Sequence, residues 1–338
     1  VVVHDSGSGR IWFLEKELAA ASSELSDADL LGLLNDQAEG TDEPQVERIG
    51  ENWTAPRGAP SFDCVLAGDG VAPRVRVWGD LLAGVLRRML APLVIPGPPV
   101  GPTIDLFTTD DDRSAVALDG RVVQEGLGIG WWLLVRQLAR SLNPDREWLG
   151  ILHAATVAAP GGGAVAIAGI SGSGKTTLSG ALLARGAILV SDDATPIEAG
   201  TRLAWPCPLA MGVKEGSWPV FSTLFDDFLK TEPVSIGGLS IRYYPAPQVA
   251  CSGYPVAALL FPTWTPGAGH HAERLAPREA LALLSKSGML PPATGNHISE
   301  LLAWLECVPA WRLTYSDHGE AASFAMQLCA DAPALVSP

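Results

Sequence analysis

Eight residues near the middle of the chain define the chemistry it could do. Gly169-Ile170-Ser171-Gly172-Ser173-Gly174-Lys175-Thr176 fits G-x-x-x-x-G-K-[ST] at every position. Glycines let successive backbone N–H groups turn inward around a chain of phosphates, and a helix that follows aims its positive end at them. In such a loop Lys175 reaches the β- and γ-phosphate oxygens, and the Thr176 hydroxyl holds Mg²⁺. The expected ligands are therefore a purine nucleoside triphosphate and Mg²⁺, cradled by Gly169, Ser171, Gly172, Ser173, Gly174, Lys175, Thr176 and Thr177. Transfer of a γ-phosphoryl group to a hydroxyl also needs a group that takes the nucleophile's proton. A carboxylate at a strand's C-terminal edge, beside the loop, can do so. Asp192-Asp193 is the nearest acidic pair, with Asp193 falling 18 residues after Lys175.

The elements around these residues read as a nucleotide-binding core. Ile151–Ala158 is an apolar strand, and Pro160-Gly161-Gly162-Gly163 is a turn. Ala164–Ala168 is a second strand running into the loop. Thr176–Ala184 reads as a helix ended by Arg185-Gly186, and Ala187–Val190 as a strand ending at the acidic pair. Strand, glycine loop, helix and strand in that order make an α/β arrangement. Upstream, the spacing predicts strands at Val71–Trp78, Ile104–Leu106 and Ser114–Leu118, a turn at Asp119-Gly120, and helices at Leu81–Ala91 and Trp131–Leu142. Ser26 is placed to cap a short helix over Ser26–Asp36, and Gly40–Pro60 reads as loop. These readings divide the chain into an α+β front domain, 1–148, and a second domain, 149–338.

Three segments resemble the bacterial HPr serine kinase/phosphorylase family, and in particular its shorter HPr-kinase-like members. Leu152-His153-Ala154-Ala155 is similar to the strand bearing that family's active-site histidine, and Gly169–Thr176 to its phosphate loop. Arg185 to Asp193 is similar to its helix end and acidic strand, without a gap from Lys175. Trp205–Trp218, with Val213-Lys214-Glu215, and Leu260-Phe261-Pro262-Thr263-Trp264 also resemble stretches of the HPr-kinase-like group. Together these cover about residues 149–285. The resemblance implies a P-loop mixed sheet of the HPr kinase C-terminal and PEP-carboxykinase-like type. It implies Asp193 as general base, Asp192 on Mg²⁺ or a bound water, and His153 in a catalytic or phosphate-contacting role. Thr177 stands where the family carries an acidic residue, and the L-E-x-R-G signature of true HPr kinases is absent, which points away from HPr as the acceptor. The loop followed by Thr177-Leu178 also resembles that of transporter-type ATPases, but no L-S-G-G-Q signature follows and the acidic strand arrives too early.

Other residues are weighed on chemistry alone. Lys214, the one lysine between Lys175 and Lys230, could bind the transferred phosphate as a point charge. Arg242 and Arg274 could clamp phosphates or an acidic substrate. His270-His271 lack a nearby third ligand and read as a polar loop. Trp205, Trp218 and Trp264 suit either a substrate cleft or a packed core.

Composition narrows the classes. The 338 residues carry 23 basic and 37 acidic side chains, a net charge of −14. That balance gives no reason to hold nucleic acid or an anionic membrane surface. The acidic excess gathers in the front half, around Glu39, Asp42, Glu43 and Glu47 and again at Asp110, Asp111 and Asp112. Five scattered cysteines with no C-x-x-C pair are neither a disulfide framework nor a zinc module. With no signal peptide or spanning segment in view, the expectation is a cytoplasmic protein. The reading is an ATP- and Mg²⁺-dependent kinase acting on a serine-type hydroxyl of a peptide or small protein, such as a natural-product precursor peptide. The front domain is left to substrate recognition or a homo-oligomer contact. The alternatives are a small-molecule kinase for an amino acid or sugar, and a non-catalytic ATP-binding switch.

Overall fold

The computed structural model describes residues 2–4, 11–13, 52–55, 58–108, 113–127, 131–236, 238–289 and 295–330. The helix expected at Ser26–Asp36, most of the loop expected over Gly40–Pro60 and the run Asp110–Asp112 lie outside them. A six-stranded sheet occupies the front half, in the order Val94–Ile95, Phe62–Leu66, Arg74–Val77, Thr103–Thr108, Arg113–Leu118, Arg121–Leu127. The parallel pairing of Arg74–Val77 with Thr103–Thr108 requires a crossover. Helix Asp80–Met89 supplies it, with Leu82, Ala83, Val85, Leu86 and Met89 turned inward at helical spacing. Its last turn carries Arg87 and Arg88, favourable charges at a helix C-terminus. A second helix, Trp131–Ser141, adds Leu134, Val135 and Leu138 to the same core. That core continues past residue 148, through Ile151, Ala194, Cys207, Leu209, Ile241 and Tyr243. The two halves of the chain therefore share apolar packing.

The back half is built on a nine-stranded mixed sheet. Strand Ala164–Ala168 lies at its centre, antiparallel to Ala154–Ala158 and parallel to Tyr254–Trp264. Ala154–Ala158 is in turn antiparallel to Ile188–Ser191, and Tyr254–Trp264 is parallel to Ala310–Tyr315. Ala164–Ala168, Ile188–Ser191, Tyr254–Trp264 and Ala310–Tyr315 therefore all run the same way, and their C-terminal ends share one edge. Ligands of open α/β sheets bind at that edge.

Period-two alternation sorts the central strand between two faces. Val165 and Ile167 pack with Leu178 and Leu182 of helix Lys175–Leu183 and with Ala321 and Ala325 of helix His318–Ala330. Ala164, Ala166 and Ala168 pack on the other face with Leu281 and Leu284 of helix Pro277–Ser287 and Leu301 and Trp304 of helix Gly295–Cys307. A small three-stranded sheet, Met211–Lys214, Leu239–Tyr244 and Pro233–Ile236, stands beside the loop helix. Among the described residues no helix is long and apolar enough to cross a membrane.

The apolar run expected as one strand at Ile151–Ala158 is two strands. Trp148–Leu152 pairs with Thr195–Glu198, while Ala154–Ala158 pairs with Ala164–Ala168 and Ile188–Ser191. The chain bends between them at His153, which therefore lies outside both strands. Lys214 ends strand Met211–Lys214, and His271, expected in a loop, opens the edge strand His271–Arg274.

Candidate active site

Strand Ala164–Ala168 delivers the chain to Gly169, and the helix begins at Lys175, so the glycine-rich loop has the strand and helix its chemistry requires. Gly174 takes a left-handed φ of 101°. A Cβ there would meet the Tyr315 hydroxyl at 2.7 Å and the Trp264 Cβ at 3.2 Å, so the close approach of two strand ends demands glycine. Those ends also hold the loop in place. The Trp264 N–H donates to the Ser173 carbonyl at 3.1 Å, and the Ser173 N–H to that of Ile170 at 3.2 Å.

Two features of the loop suit a phosphate ligand. The Ser173 hydroxyl is buried with no hydrogen-bond partner, and a Cβ on Gly169 would intrude on it at 2.8 Å. The Lys175 ammonium folds back onto the carbonyls of Gly169 and Ile170, the second at 3.2 Å. These are acceptors that phosphate oxygens can replace. With the N-terminus of the helix behind them, the residues present fit a nucleoside polyphosphate.

The acidic pair and the histidine reach the same edge of the sheet. Ala154 is registered opposite Ala168, and Thr156 opposite both Ala166 and Ser191, so His153 and the Asp192-Asp193 turn flank the start of the loop. Asp193 takes a left-handed φ of 63°, a conformation that aspartate tolerates better than most side chains. The turn is fixed by buried hydroxyls. Thr195 donates to the Ala154 carbonyl at 3.0 Å, and the Thr156 and Ser191 hydroxyls both bond to Thr195 Oγ1. His153 Nε2 stands 3.8 Å from Asp193 Oδ1, beyond hydrogen-bond length but close enough to feel its charge.

Burial and charge act on these groups in different directions. Burial holds the His153 ring below its ordinary pKa despite the nearby Asp193 carboxylate, and the charges of Lys175 and Arg136 push it the same way. Arg136 comes from helix Trp131–Ser141, so the front half contributes a charge to this edge. Burial likewise lowers Lys175, against the pull of Asp193 and Asp192. Asp192 is buried, and its carboxyl is raised well above the usual range, first by desolvation and then by Asp193. A hydrogen bond with the Gly212 backbone, the charge of Lys175 and a hydrogen bond with the Asp193 backbone work the other way.

Asp192 and Thr176 suit a Mg²⁺ site by donor chemistry. Asp192 is a desolvated carboxylate beside a second one, whose effects outweigh the nearby charge of Lys175, and Thr176 adds a hydroxyl at the first turn of the helix. No group of three His, Cys, Asp or Glu residues forms a metal cage among the described residues. Mg²⁺ habitually takes one or two protein ligands and completes its shell with phosphates and water.

The remaining candidates divide. Lys214 reaches the loop, donating to the Ser171 hydroxyl, and Thr177 is tied to Ser217 at 2.8 Å. Arg242 is instead engaged with Trp218, its guanidinium 4.6 Å from the ring centroid, and with the Leu229 carbonyl at 3.3 Å. Arg274 lies over Trp311. Trp205 is part of a buttress, stacked by Arg146 and donating to Glu198 at 2.9 Å. Tyr315, Ser217 and Arg136 went unnoticed in the sequence because nothing near them in the chain marks them. A cavity of about 160 Å³ lies beside the loop, between Ile170, Ser173, Phe261 and Leu283. A larger one of about 530 Å³ opens at the opposite end of the sheet, among Arg202, Val256, Trp304 and Trp311, away from the acidic pair.

No protein-family profile matches the chain, and no curated protein is similar to it. Among solved structures, the Hpr(Ser) kinase/phosphatase from Coxiella burnetii is similar over 53% of this chain and 87% of that one, at 14% sequence identity and a TM-score of 0.25.

Proposed function

We propose that the chain is an ATP- and Mg²⁺-dependent kinase that transfers the γ-phosphoryl group to a hydroxyl of a peptide or small protein. The observation that carries this reading is the meeting, at one sheet edge, of the glycine-rich loop with its lysine and the Asp193 carboxylate, 3.8 Å from a histidine. Asp193 takes the proton of the attacking hydroxyl. His153, kept neutral by burial, adds no competing cation and leaves the carboxylate as the base. Lys175 leaves the loop carbonyls for the phosphate oxygens, where its charge offsets what accumulates as the bond to the leaving diphosphate breaks. Lys214, tethered to the loop through Ser171, meets the transferred group from the other side. Mg²⁺, held by Thr176 and Asp192, would supply charge neutralisation across the phosphates. The choice of a polypeptide acceptor rests on the sequence resemblance.

The test is transfer of label from γ-labelled ATP into a host extract separated into polypeptide and small-molecule fractions. Label in polypeptide that disappears with Lys175→Ala and with Asp193→Asn supports the proposal. Label confined to small molecules would replace the acceptor class, and tight ATP binding without transfer by any fraction would replace the kinase with a nucleotide switch.

A further inference from the structure

The reactive end of a bound triphosphate must face the acidic pair, and this fixes where its base leaves the loop. Strand order puts Ala154–Ala158 and Ile188–Ser191, and with them His153, Asp192 and Asp193, on one side of the loop strand. The strands on the other side are Tyr254–Trp264 and Ala310–Tyr315. A phosphate chain whose γ end lies toward Asp193 therefore sends its sugar and base toward Trp264 and Tyr315.

Trp264 is built as a platform there. Its backbone N–H is bonded to Ser173, which sets the indole within a residue's length of the phosphates. Its ring N–H donates to the Ser316 carbonyl at 3.2 Å, which fixes the ring's orientation. One side is backed by His318, nearly parallel at 19° with centroids 6.3 Å apart, and burial lowers that imidazole's pKa so that it favours the neutral ring. Yet 43% of Trp264 remains exposed. An indole held rigidly at both ends and left open on its surface has little conformational entropy to lose on stacking. The cavity of about 160 Å³ at the loop is lined by Thr263 rather than Trp264, and it is too small for a whole nucleotide, for which pockets run to roughly 300–1,000 Å³.

We infer that Trp264 is the nucleobase platform of this site, stacking the aromatic base of the nucleoside triphosphate, with His318 behind it. The inference rests on the kinase reading for the presence of a nucleotide and for the direction in which its phosphates run. Stacking recognises a π-face, so it favours purines over pyrimidines by area and does not distinguish adenine from guanine.

Titration calorimetry on the full chain with Mg²⁺ separates the base from the phosphates, using ATP and inorganic tripolyphosphate as the two probes. Trp264→Ala is expected to weaken ATP about tenfold or more while leaving tripolyphosphate within about twofold, as loss of one base–aromatic stack should. Trp264→Phe, which keeps an aromatic face, is expected to stay close to the wild type for both. Equal ATP affinity in Trp264→Ala and wild type would overturn the platform and leave the kinase reading standing. So would a parallel loss of ATP and tripolyphosphate, since it would make the ring a prop for the loop. Wild-type protein that binds neither probe would overturn the kinase reading itself, and the platform with it.

Discussion

The molecule buries a carboxylate in each half and treats the two in opposite ways. In the front sheet, Asp105 is 1% exposed and meets Arg76 through two parallel bonds of 2.7 and 2.8 Å, from the residue registered directly opposite it. At the loop edge of the back sheet, Asp192 is 3% exposed, no salt bridge reaches it among the described residues, and its nearest charged neighbour in the chain is another aspartate. A buried charge with its counter-ion built in is a structural element. A buried carboxylate that desolvation and a like charge push toward its neutral form, with Lys175 offsetting this only in part, suits a place where a ligand or metal completes the balance. The unpartnered Ser173 hydroxyl at the same edge has the same meaning.

The sharpest way to break this comparison is at Lys175, the cation of the incomplete side. Lys175→Ala should lower phosphoryl transfer by about 10³-fold or more, because it removes charge that acts mainly in the transition state. Steady-state transfer assays check it, and retained turnover would show that the loop serves something other than phosphate chemistry. The matching change on the complete side is Arg76→Met. It strands Asp105 in an apolar sheet and should cost about 3 kcal/mol in urea unfolding, with transfer activity per folded molecule unchanged. Adding Asp105→Leu should recover most of that loss, because an apolar pair replaces an ion pair at little net cost. A single variant that melts like the wild type would mean that Asp105 is not held by its partner.

Asp193→Asn comes next. Nucleotide affinity should persist while turnover falls by about 10²-fold, the scale of a lost general base. Unchanged turnover would remove Asp193 from the mechanism.

Legibility in the sequence followed the range of the interactions. The loop, its helix and the acidic strand end are local in the chain, and strand Ala164–Ala168, helix Lys175–Leu183 and strand Ile188–Ser191 lie within a residue or so of the expected bounds. The front helices Asp80–Met89 and Trp131–Ser141 were readable for the same reason, since their inward residues repeat at helical spacing. His153 was misread as a strand residue because apolar residues on both sides of it make Ile151–Ala158 read as one strand. Its break exists only because the two parts pair with different neighbours, a fact of topology invisible to periodicity. The same holds for Arg76 and Asp105, 29 residues apart, and for Tyr315, which touches Gly174 across 141 residues.

The smallest expected effect has the opposite sign from the others and tests the comparison most directly. The Asp192 carboxyl is raised in the folded protein above its unfolded value of roughly 4, so the unfolded chain gives up that proton at lower pH than the folded one does. Stability from this group is therefore present below about pH 4 and is lost as pH rises through the folded value. Asn at position 192 carries no charge and escapes that loss. In the absence of nucleotide, Asp192→Asn should melt with the wild type in acid and about 1–2 °C above it at pH 8, the shift expected from about 1 kcal/mol in a chain of this size. Adding Mg²⁺ and ATP should reverse the order, since only the wild type then gains a cation for its carboxylate. Differential scanning calorimetry at two pH values, with and without the ligands, gives all four melting points. A variant that melts below the wild type at pH 8 without ligand would place Asp192 beside Asp105, as a carboxylate the fold already satisfies.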